Sequence, residues 1–359
     1  MVGSGTVLRA AAEAGHCGIG FDMDPMAVLL AKVWTTPIDT KDLITRAADV
    51  THHAERKPLD DVSLPWIDQD EETQAFIDYW FAVEQKDELR KLASILQDLE
   101  GPLSDAMRVA LSRLIITKQR GASLAGDVSH SRPHRMRSDN DFEVLKEFGK
   151  STRILAKKLE ADRLYGEVSV NQGDARDMHS VNDASVDAVI TSPPYLNAID
   201  YLRGHRLSLV WLGHSVGSLR TIRSDSIGAE RAPNLKANLD LAHRLTASVD
   251  GGGALPDRRR RMIDRYALDM YTFMQEVFRV LKPSGKAVLV IGDSCHRNVY
   301  VKNSEIVRAA AEEAGLTFAG QRMRQIPPSR RYLPPPSKRE SSTLKRRMRT
   351  EAVQTYEKP

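Results

Sequence analysis

Cysteine is almost missing from this sequence: the 359 residues hold two, Cys17 and Cys295. Neither belongs to a C-x-x-C pair of the kind that binds zinc, so no metal site is expected. Both are expected to be reduced spectators beside apolar, strand-like runs. Long apolar runs are missing too, since no window approaches the roughly 18 uninterrupted apolar residues of a membrane span. Met1 leads straight into Val-Gly-Ser-Gly, with no basic or apolar leader region. A cytoplasmic protein with no membrane partner is the expectation. There is no internal repeat and no low-complexity linker. What is present suits a folded chain: 41% hydrophobic residues and a net charge of only +4.

The small net charge hides an asymmetry. Between Arg322 and Arg349 stand 10 of the 52 basic residues and one acid, Glu340. Pro327-Pro328 and Pro334-Pro335-Pro336, with Tyr332 between them, prevent this stretch from being one amphipathic helix. A phosphate-contacting loop and a solvated face both remain open. Residues 118 to 137, with five Lys/Arg and two His, and the arginine-rich stretch from Arg203 to Arg261 are further candidates for nucleic-acid contact.

Strand and helix signals alternate at both ends of the chain, and helix signals dominate between them. Residues 3 to 32 read as a glycine-rich turn, a helix from Thr6 to Ala14, a strand from Gly18 to Asp22 and a helix opening at Pro25. Apolar residues at helical spacing run from about Asp70 to Lys118, broken at Gly101-Pro102, and another helix is expected from Asp141 to Arg163. Strands follow at Glu167 to Asn171 and Val186 to Ile190, the second apolar enough to suggest burial on both faces. A helix from Met262 to Leu281, a turn at Lys282 to Gly285 and a strand from Ala287 to Ile291 come next. A helix from Glu305 to Ala314, with Ser304 as cap, and strands at Thr317 to Arg322 and Glu351 to Tyr356 complete the chain. This order predicts an α/β fold with a mostly parallel, doubly wound sheet and helices on both faces.

Chemistry concentrates at strand ends. Gly3-Ser4-Gly5-Thr6 before a helix has the form of a ligand loop, because glycines let backbone N–H groups approach a ligand closely. Asp22, ending the next strand about 20 residues on, is placed to accept ribose hydroxyls or to cap the helix after Pro25. Asp174 in Gly173-Asp174-Ala175-Arg176 would sit at the same ligand edge. Most informative is Thr191-Ser192-Pro193-Pro194-Tyr195: two prolines at a strand end remove two N–H donors, leaving outward carbonyls as rigid acceptors beside an aromatic face.

Together, Val2-Gly3-Ser4-Gly5-Thr6, Gly20-Phe21-Asp22-Met23-Asp24-Pro25, Gly173-Asp174-Ala175-Arg176 and Thr191-Ser192-Pro193-Pro194-Tyr195 resemble the motifs of S-adenosylmethionine-dependent DNA amino-methyltransferases. Ser in the first place of Ser-Pro-Pro-Tyr is similar to the cytosine-N4 branch; adenine-N6 enzymes more often carry Asp there. The resemblance implies a Rossmann-like methyltransferase fold, S-adenosyl-L-methionine as cofactor, DNA as partner and a restriction-modification setting. It implies that Gly3, Ser4, Gly5, Thr6, Asp22, Met23, Asp174 and Ala175 line the cofactor site, with Asp22 on the ribose and Asp174 on the adenine amino group. Ser192, Pro193, Pro194 and Tyr195 would form the pocket of a flipped base, where Ser192 and the Pro193 carbonyl polarise the target amine and Tyr195 stacks on the base. No metal and no covalent intermediate are implied.

The resemblance also sets an expectation about the fold's centre. The family's glycine loop follows a first, central strand, and only Met1-Val2 precede Gly3. A preceding segment or a companion chain is expected to supply that strand. The chain is expected to divide into a cofactor part at residues 1–41, a helical insertion at 42–164, a catalytic-loop part at 165–202, a second insertion at 203–261 and a C-terminal half at 262–359. An RNA amino-methyltransferase and a nucleic-acid-binding pseudoenzyme are the alternatives.

Overall fold

The structure, a computed structural model, describes residues 1–117, 120–126, 133–160, 164–196, 201–228, 238–247, 257–296, 299–326 and 350–359. Most of the basic stretch after Arg324, including Lys345, Arg346, Arg347 and Arg349, lies outside the described residues, as does part of 118–137. In chain order the elements are α1 (Thr6–Glu13), β1 (Gly18–Asp22), α2 (Pro25–Thr35), α3 (Thr40–Arg56), α4 (Pro65–Asp68), α5 (Glu71–Trp80), α6 (Val83–Gln97) and α7 (Pro102–Ile115). There follow β2 (Ala125–Gly126), β3 (His134–Arg135), α8 (Val144–Leu159), β4 (Val168–Gln172), β5 (Val186–Thr191), α9 (Tyr201–Leu209), α10 (Val216–Asp225) and α11 (Leu239–Leu245). The last are α12 (Asp257–Val280), β6 (Leu281–Ile291), β7 (Ser294–His296), β8 (Val299–Val301), α13 (Asn303–Glu313), β9 (Thr317–Gln325) and β10 (Thr350–Glu357). Among the described residues no helix is long and apolar enough to cross a membrane. Two compact units result: an N-terminal unit of Val2–Gln172 and Ile199–Arg223, and a C-terminal unit of Met1, Gly173–Ala198 and Ser224–Pro359.

In the N-terminal unit β1 and β4 pair in parallel, from Gly18 opposite Val168 to Asp22 opposite Gln172. The helix α2 is apolar on most of its circumference and is accordingly buried on more than one side. Its Val28 and Ala31 meet Leu8 and Val170, while its Met26 and Val33 join a large helical core. That core includes Leu43, Ala47, Val50 and Ala54 of α3, a helix-period stripe, together with Leu111 of α7 and Phe148 of α8. Trp211 is fully buried there, edge-on to Phe81 with ring centroids 5.1 Å apart. The Nε1–H of Trp66 donates to the Val210 carbonyl at 2.9 Å. Residues 42–164 therefore share one apolar core with α2 and with Leu202, Leu207 and Leu219.

The C-terminal unit is built on a four-stranded sheet of order β5-β6-β10-β9. Within it β5 and β6 run parallel, whereas β6 with β10 and β10 with β9 are antiparallel. The expected mostly parallel sheet is thus mixed in this unit, because the two last strands, consecutive in the chain, pair antiparallel. The long helix α12 lays Tyr266, Met270, Phe273, Met274 and Val277 against Leu289 and Ile291 of β6.

Three local expectations change. β5 is not buried on both faces: Ile190 is 52% exposed. An apolar run reports side-chain chemistry, not how many faces are covered. The turn at Lys282 to Gly285 lies within β6 as an irregularity, where Ser284 adopts φ 61° and the register with β5 shifts between Val186 and Ala188. Ser304 does not cap the helix before Glu305, because it lies inside α13, and the cap is supplied instead by Asp293, whose Oδ1 accepts from the Ser304 amide at 3.0 Å and from its hydroxyl at 2.8 Å.

Candidate functional site

The glycine loop and Asp22 form one structure at the carboxyl end of β1. Gly3 and Gly5 stand in the left-handed region at φ 53° and 83°. Gly5 needs glycine twice over, since a Cβ there would also lie 2.9 Å from the Ala31 Cα of α2. A Cβ on Gly3 would meet nothing within 4 Å, so the loop faces open space at that residue. The Oδ2 of Asp22 accepts the amides of Val2 at 3.1 Å and Gly3 at 2.9 Å, which ties the loop to the strand end. Its Oδ1 accepts the Asp24 amide at 3.1 Å. Capping of α2 falls to Asp24, whose Oδ1 accepts from Met26 at 2.9 Å, so Asp22 is released from that alternative role.

Ser4 and Thr6 are exposed, with their hydroxyls 3.4 Å apart. Among the described residues no side chain caps α1, and its first turn carries no acid, which leaves its N-terminal amides and the positive end of the helix dipole uncompensated there. Met23 is half-buried between the two aspartates.

Asp174 and Ala175 belong to the C-terminal unit. Ala175 is buried in that unit's core. Both oxygens of Asp174 are taken up by Arg176: Nε lies 3.1 Å from Oδ1 and 2.9 Å from Oδ2, and Nη2 donates to Oδ2 at 2.6 Å. Arg176 is itself fixed by Asp269 at 2.5 Å. The aspartate is held in place by this clamp, with little accepting capacity to spare.

In the same unit β5 delivers Ser192-Pro193-Pro194-Tyr195 at its carboxyl end. The exposed Ser192 hydroxyl donates to the Val290 carbonyl of β6 at 2.9 Å. A serine has one hydrogen and two lone pairs, so a hydroxyl committed in this way can only accept from anything placed on its open side. Pro193 is buried, and among the described residues no donor reaches its carbonyl. The half-buried Tyr195 lies with its hydroxyl 3.3 Å from Ser192 Oγ and donates to Glu351 Oε1 at 3.2 Å. Burial, with the negative charge of Glu351 adding to it, pushes the Tyr195 phenol up to about 12.

The sequence-predicted site residues therefore fall into two sets: Gly3 to Thr6, Asp22 and Met23 in the N-terminal unit, and Asp174, Ala175 and Ser192 to Tyr195 in the C-terminal unit. Sequence reasoning missed three neighbours. Glu351 on β10 holds Tyr195 and is bound through Oε2 by Arg324 of β9. In the N-terminal unit His205 Nδ1 lies 2.6 Å from Asp24 Oδ2. The second aspartate of Asp22-Met23-Asp24 was a signal for the last pair; nothing local marked Glu351, 156 residues beyond Tyr195.

Against known proteins, no family model matches this chain. It is 30% identical over 138 residues to the Type II methyltransferase M.BsoBI of Geobacillus stearothermophilus, an alignment covering 31% of this chain and 27% of that protein. The chain thus spans about a quarter of the length of the curated relative it matches. Among solved structures, it is similar to a protein of Thermus thermophilus described as a DNA modification methylase and complexed with S-adenosyl-L-methionine. That match has 16% identity, covers 52% of this chain and 51% of the other, and has a TM-score of 0.27. A SAM-dependent methyltransferase of Methanosarcina mazei matches at 10% identity over 57% of this chain and 76% of its own, also with a TM-score of 0.27. Scores of this size describe partial superpositions.

Proposed function

We propose that this chain transfers a methyl group from S-adenosyl-L-methionine to the exocyclic amino group of a flipped DNA base, cytosine N4 ahead of adenine N6. One observation carries the reading: the Ser192 hydroxyl, at the end of β5, gives its hydrogen to Val290, which leaves its lone pairs to accept, next to a Pro193 carbonyl that no donor among the described residues reaches. An aromatic amine is a poor nucleophile because its lone pair is conjugated with the ring. Two fixed acceptors orient its N–H bonds and return electron density to nitrogen, which is positioning and polarisation together. The serine hydroxyl stays neutral and a neutral hydroxyl is a weak base, so its part is to accept and orient. Tyr195 offers the base a stacking face, held at its hydroxyl by Glu351.

The N-terminal unit fits the cofactor. Gly3 opens on free space, Gly5 brings α1 close, and the uncapped first turn of α1 offers N–H donors suited to a carboxylate. Asp22 keeps one lone pair, on Oδ1, beyond its three backbone contacts, and this suits a ribose hydroxyl. Bound S-adenosylmethionine would supply an electrophilic methyl group. Asp174 is the residue whose assigned contact, the adenine amino group, the geometry supports least, because Arg176 already engages both oxygens. The 30% identity to a Type II methyltransferase supports the same class of reaction and a restriction-modification setting.

DNA is the partner in this reading, together with a strand from a preceding segment or a companion chain. Among the described residues β1 pairs only with β4 and β5 only with β6, and each edge strand exposes an isoleucine, Ile19 and Ile190. The reading is tested by incubating the chain, alone and with added upstream residues, with methyl-tritiated S-adenosylmethionine and either DNA or RNA. Label in DNA supports it. Label in RNA alone, or cofactor binding with no label anywhere in either form of the chain, overturns it.

A further inference from the structure

Methylating an amine leaves it with one proton too many, and Ser192 cannot keep that proton. Resting on the methyl-transfer reading above, we propose that Glu351 is the terminal proton acceptor, reached from the methylated amine through Ser192 and Tyr195. The chain of contacts is continuous within the C-terminal unit. Ser192 Oγ stands 3.3 Å from Tyr195 Oη, and Tyr195 Oη stands 3.2 Å from Glu351 Oε1. Each link is a hydroxyl that can give one proton while taking another, and the last group is a carboxylate, which can only take.

The N–H bond of the methylated amine breaks as an O–H bond forms on Ser192. The original hydrogen of Ser192 turns from the Val290 carbonyl to Tyr195, and that of Tyr195 moves onto Glu351. Both hydroxyls end neutral, and one proton has been added to the carboxylate. No oxidant or further reactant enters.

The surroundings favour Glu351 over Asp174 and Asp293 of the same unit. Asp174 is clamped by Arg176, and Asp293 accepts from the amide and hydroxyl of Ser304. The Glu351 side chain is 14% exposed, enough for its proton to pass to water between turnovers. Groups facing the relay are Ser192 on the loop after β5, Arg324 on β9, Glu351 on β10 and Tyr266 on α12. Arg324 binds the oxygen of Glu351 that Tyr195 does not use, leaving Oε1 aimed at the phenol. Tyr266 is fully buried and its hydroxyl is unpartnered among the described residues; it is no proton sink, because burial raises its own pKa.

Glu351 acts through Tyr195, so it is a positioning and relay residue, and its test needs a readout that packing alone would not move. In the full chain, with any upstream or companion strand that activity requires, Glu351→Gln should lower kcat about 10- to 100-fold, at or below the low end of direct general-base effects because Glu351 acts through two hydroxyls, and leave the KM for S-adenosylmethionine unchanged. It should also abolish the acid limb of kcat against pH, which Glu351→Asp should retain. Formate should restore part of the rate to Glu351→Gly. A second measurement needs no turnover: ultraviolet titration of wild type against Tyr195→Phe isolates the phenol that ionises near 12, and Glu351→Gln should lower that value because a negative charge facing the phenolate is gone. Wild-type kcat with an intact acid limb in Glu351→Gln, or an unmoved phenol, overturns the relay. A wild-type chain that methylates neither DNA nor RNA fails the methyl-transfer reading instead, and the phenol titration still decides the hydrogen-bonded chain.

Discussion

The two units present their candidate residues in opposite ways. At the end of β1 the groups are backbone: two left-handed glycines, amides drawn onto Asp22, and a helix start that no side chain among the described residues caps. At the end of β5 they are side-chain hydroxyls whose hydrogens already have destinations, at Val290 and Glu351. A backbone site depends on φ angles and close approach, so it should respond to added volume. A hydroxyl site depends on where each hydrogen goes, so it should respond to the loss of single atoms.

Substitution can separate the two. The largest effect is expected from Ser192→Ala, which should lower kcat about 100-fold, the scale of losing one preorganised polar group at a reacting centre, while cofactor affinity holds. Equal losses in turnover and cofactor binding would erase the contrast between the units. Asp22→Ala is its counterpart: the loop loses its tie to β1, and the cofactor should bind about 10- to 100-fold more weakly, corresponding to roughly 1.5 to 3 kcal/mol for charge-assisted hydrogen bonds. Isothermal titration with S-adenosylmethionine measures it, and unchanged affinity would remove Asp22 from the site.

A finer probe lies within the loop. Gly3→Ala meets only the left-handed penalty of about 1 to 2 kcal/mol, because there is space for the methyl group. Gly5→Ala adds the collision with Ala31 and should cost clearly more. Urea unfolding of the two variants reads the difference, and equal midpoints would mean that α1 and α2 do not depend on that close approach.

Much of this was legible before the structure. Gly18 to Asp22 and the start of α2 at Pro25 follow from local signals, a glycine-bounded apolar run and a proline at the first helical turn, and the observed elements have those bounds. The core stripe of α3, Leu43, Ala47, Val50 and Ala54, is equally periodic but carries two alanines, so its apolar signal is weaker than those on either side. Other features depend on distant chain. Whether β5 has one strand neighbour or two is not written in Val186 to Thr191, and the partner of Tyr195 is not written near Tyr195. Asp293 replaces Ser304 as the cap of α13 for the same reason: a loop 11 residues upstream of Ser304 folds back to the helix start.

The smallest expected effect is on stability. Burial holds the His214 imidazole below its ordinary value of 6.5, with Asp24 partly opposing the shift. The unfolded chain then binds a proton at His214 before the folded chain does, so the contribution is present above pH 6.5 and is lost as pH falls through the lowered folded value. His214→Gln should flatten stability between about pH 7 and 5 relative to wild type, as read by chemical denaturation at each pH. An identical slope would show that His214 titrates normally.

The central claim is that the lone pairs of Ser192 and the Pro193 carbonyl address an exocyclic base amine. Its most direct measurement is mass spectrometry of nucleosides from DNA incubated with S-adenosylmethionine and the chain, assembled with whatever strand activity requires. The account predicts N4-methylcytosine whose initial rate of formation falls about 100-fold in Ser192→Ala. Methylation at a ring carbon, or a product undiminished in Ser192→Ala, would contradict it.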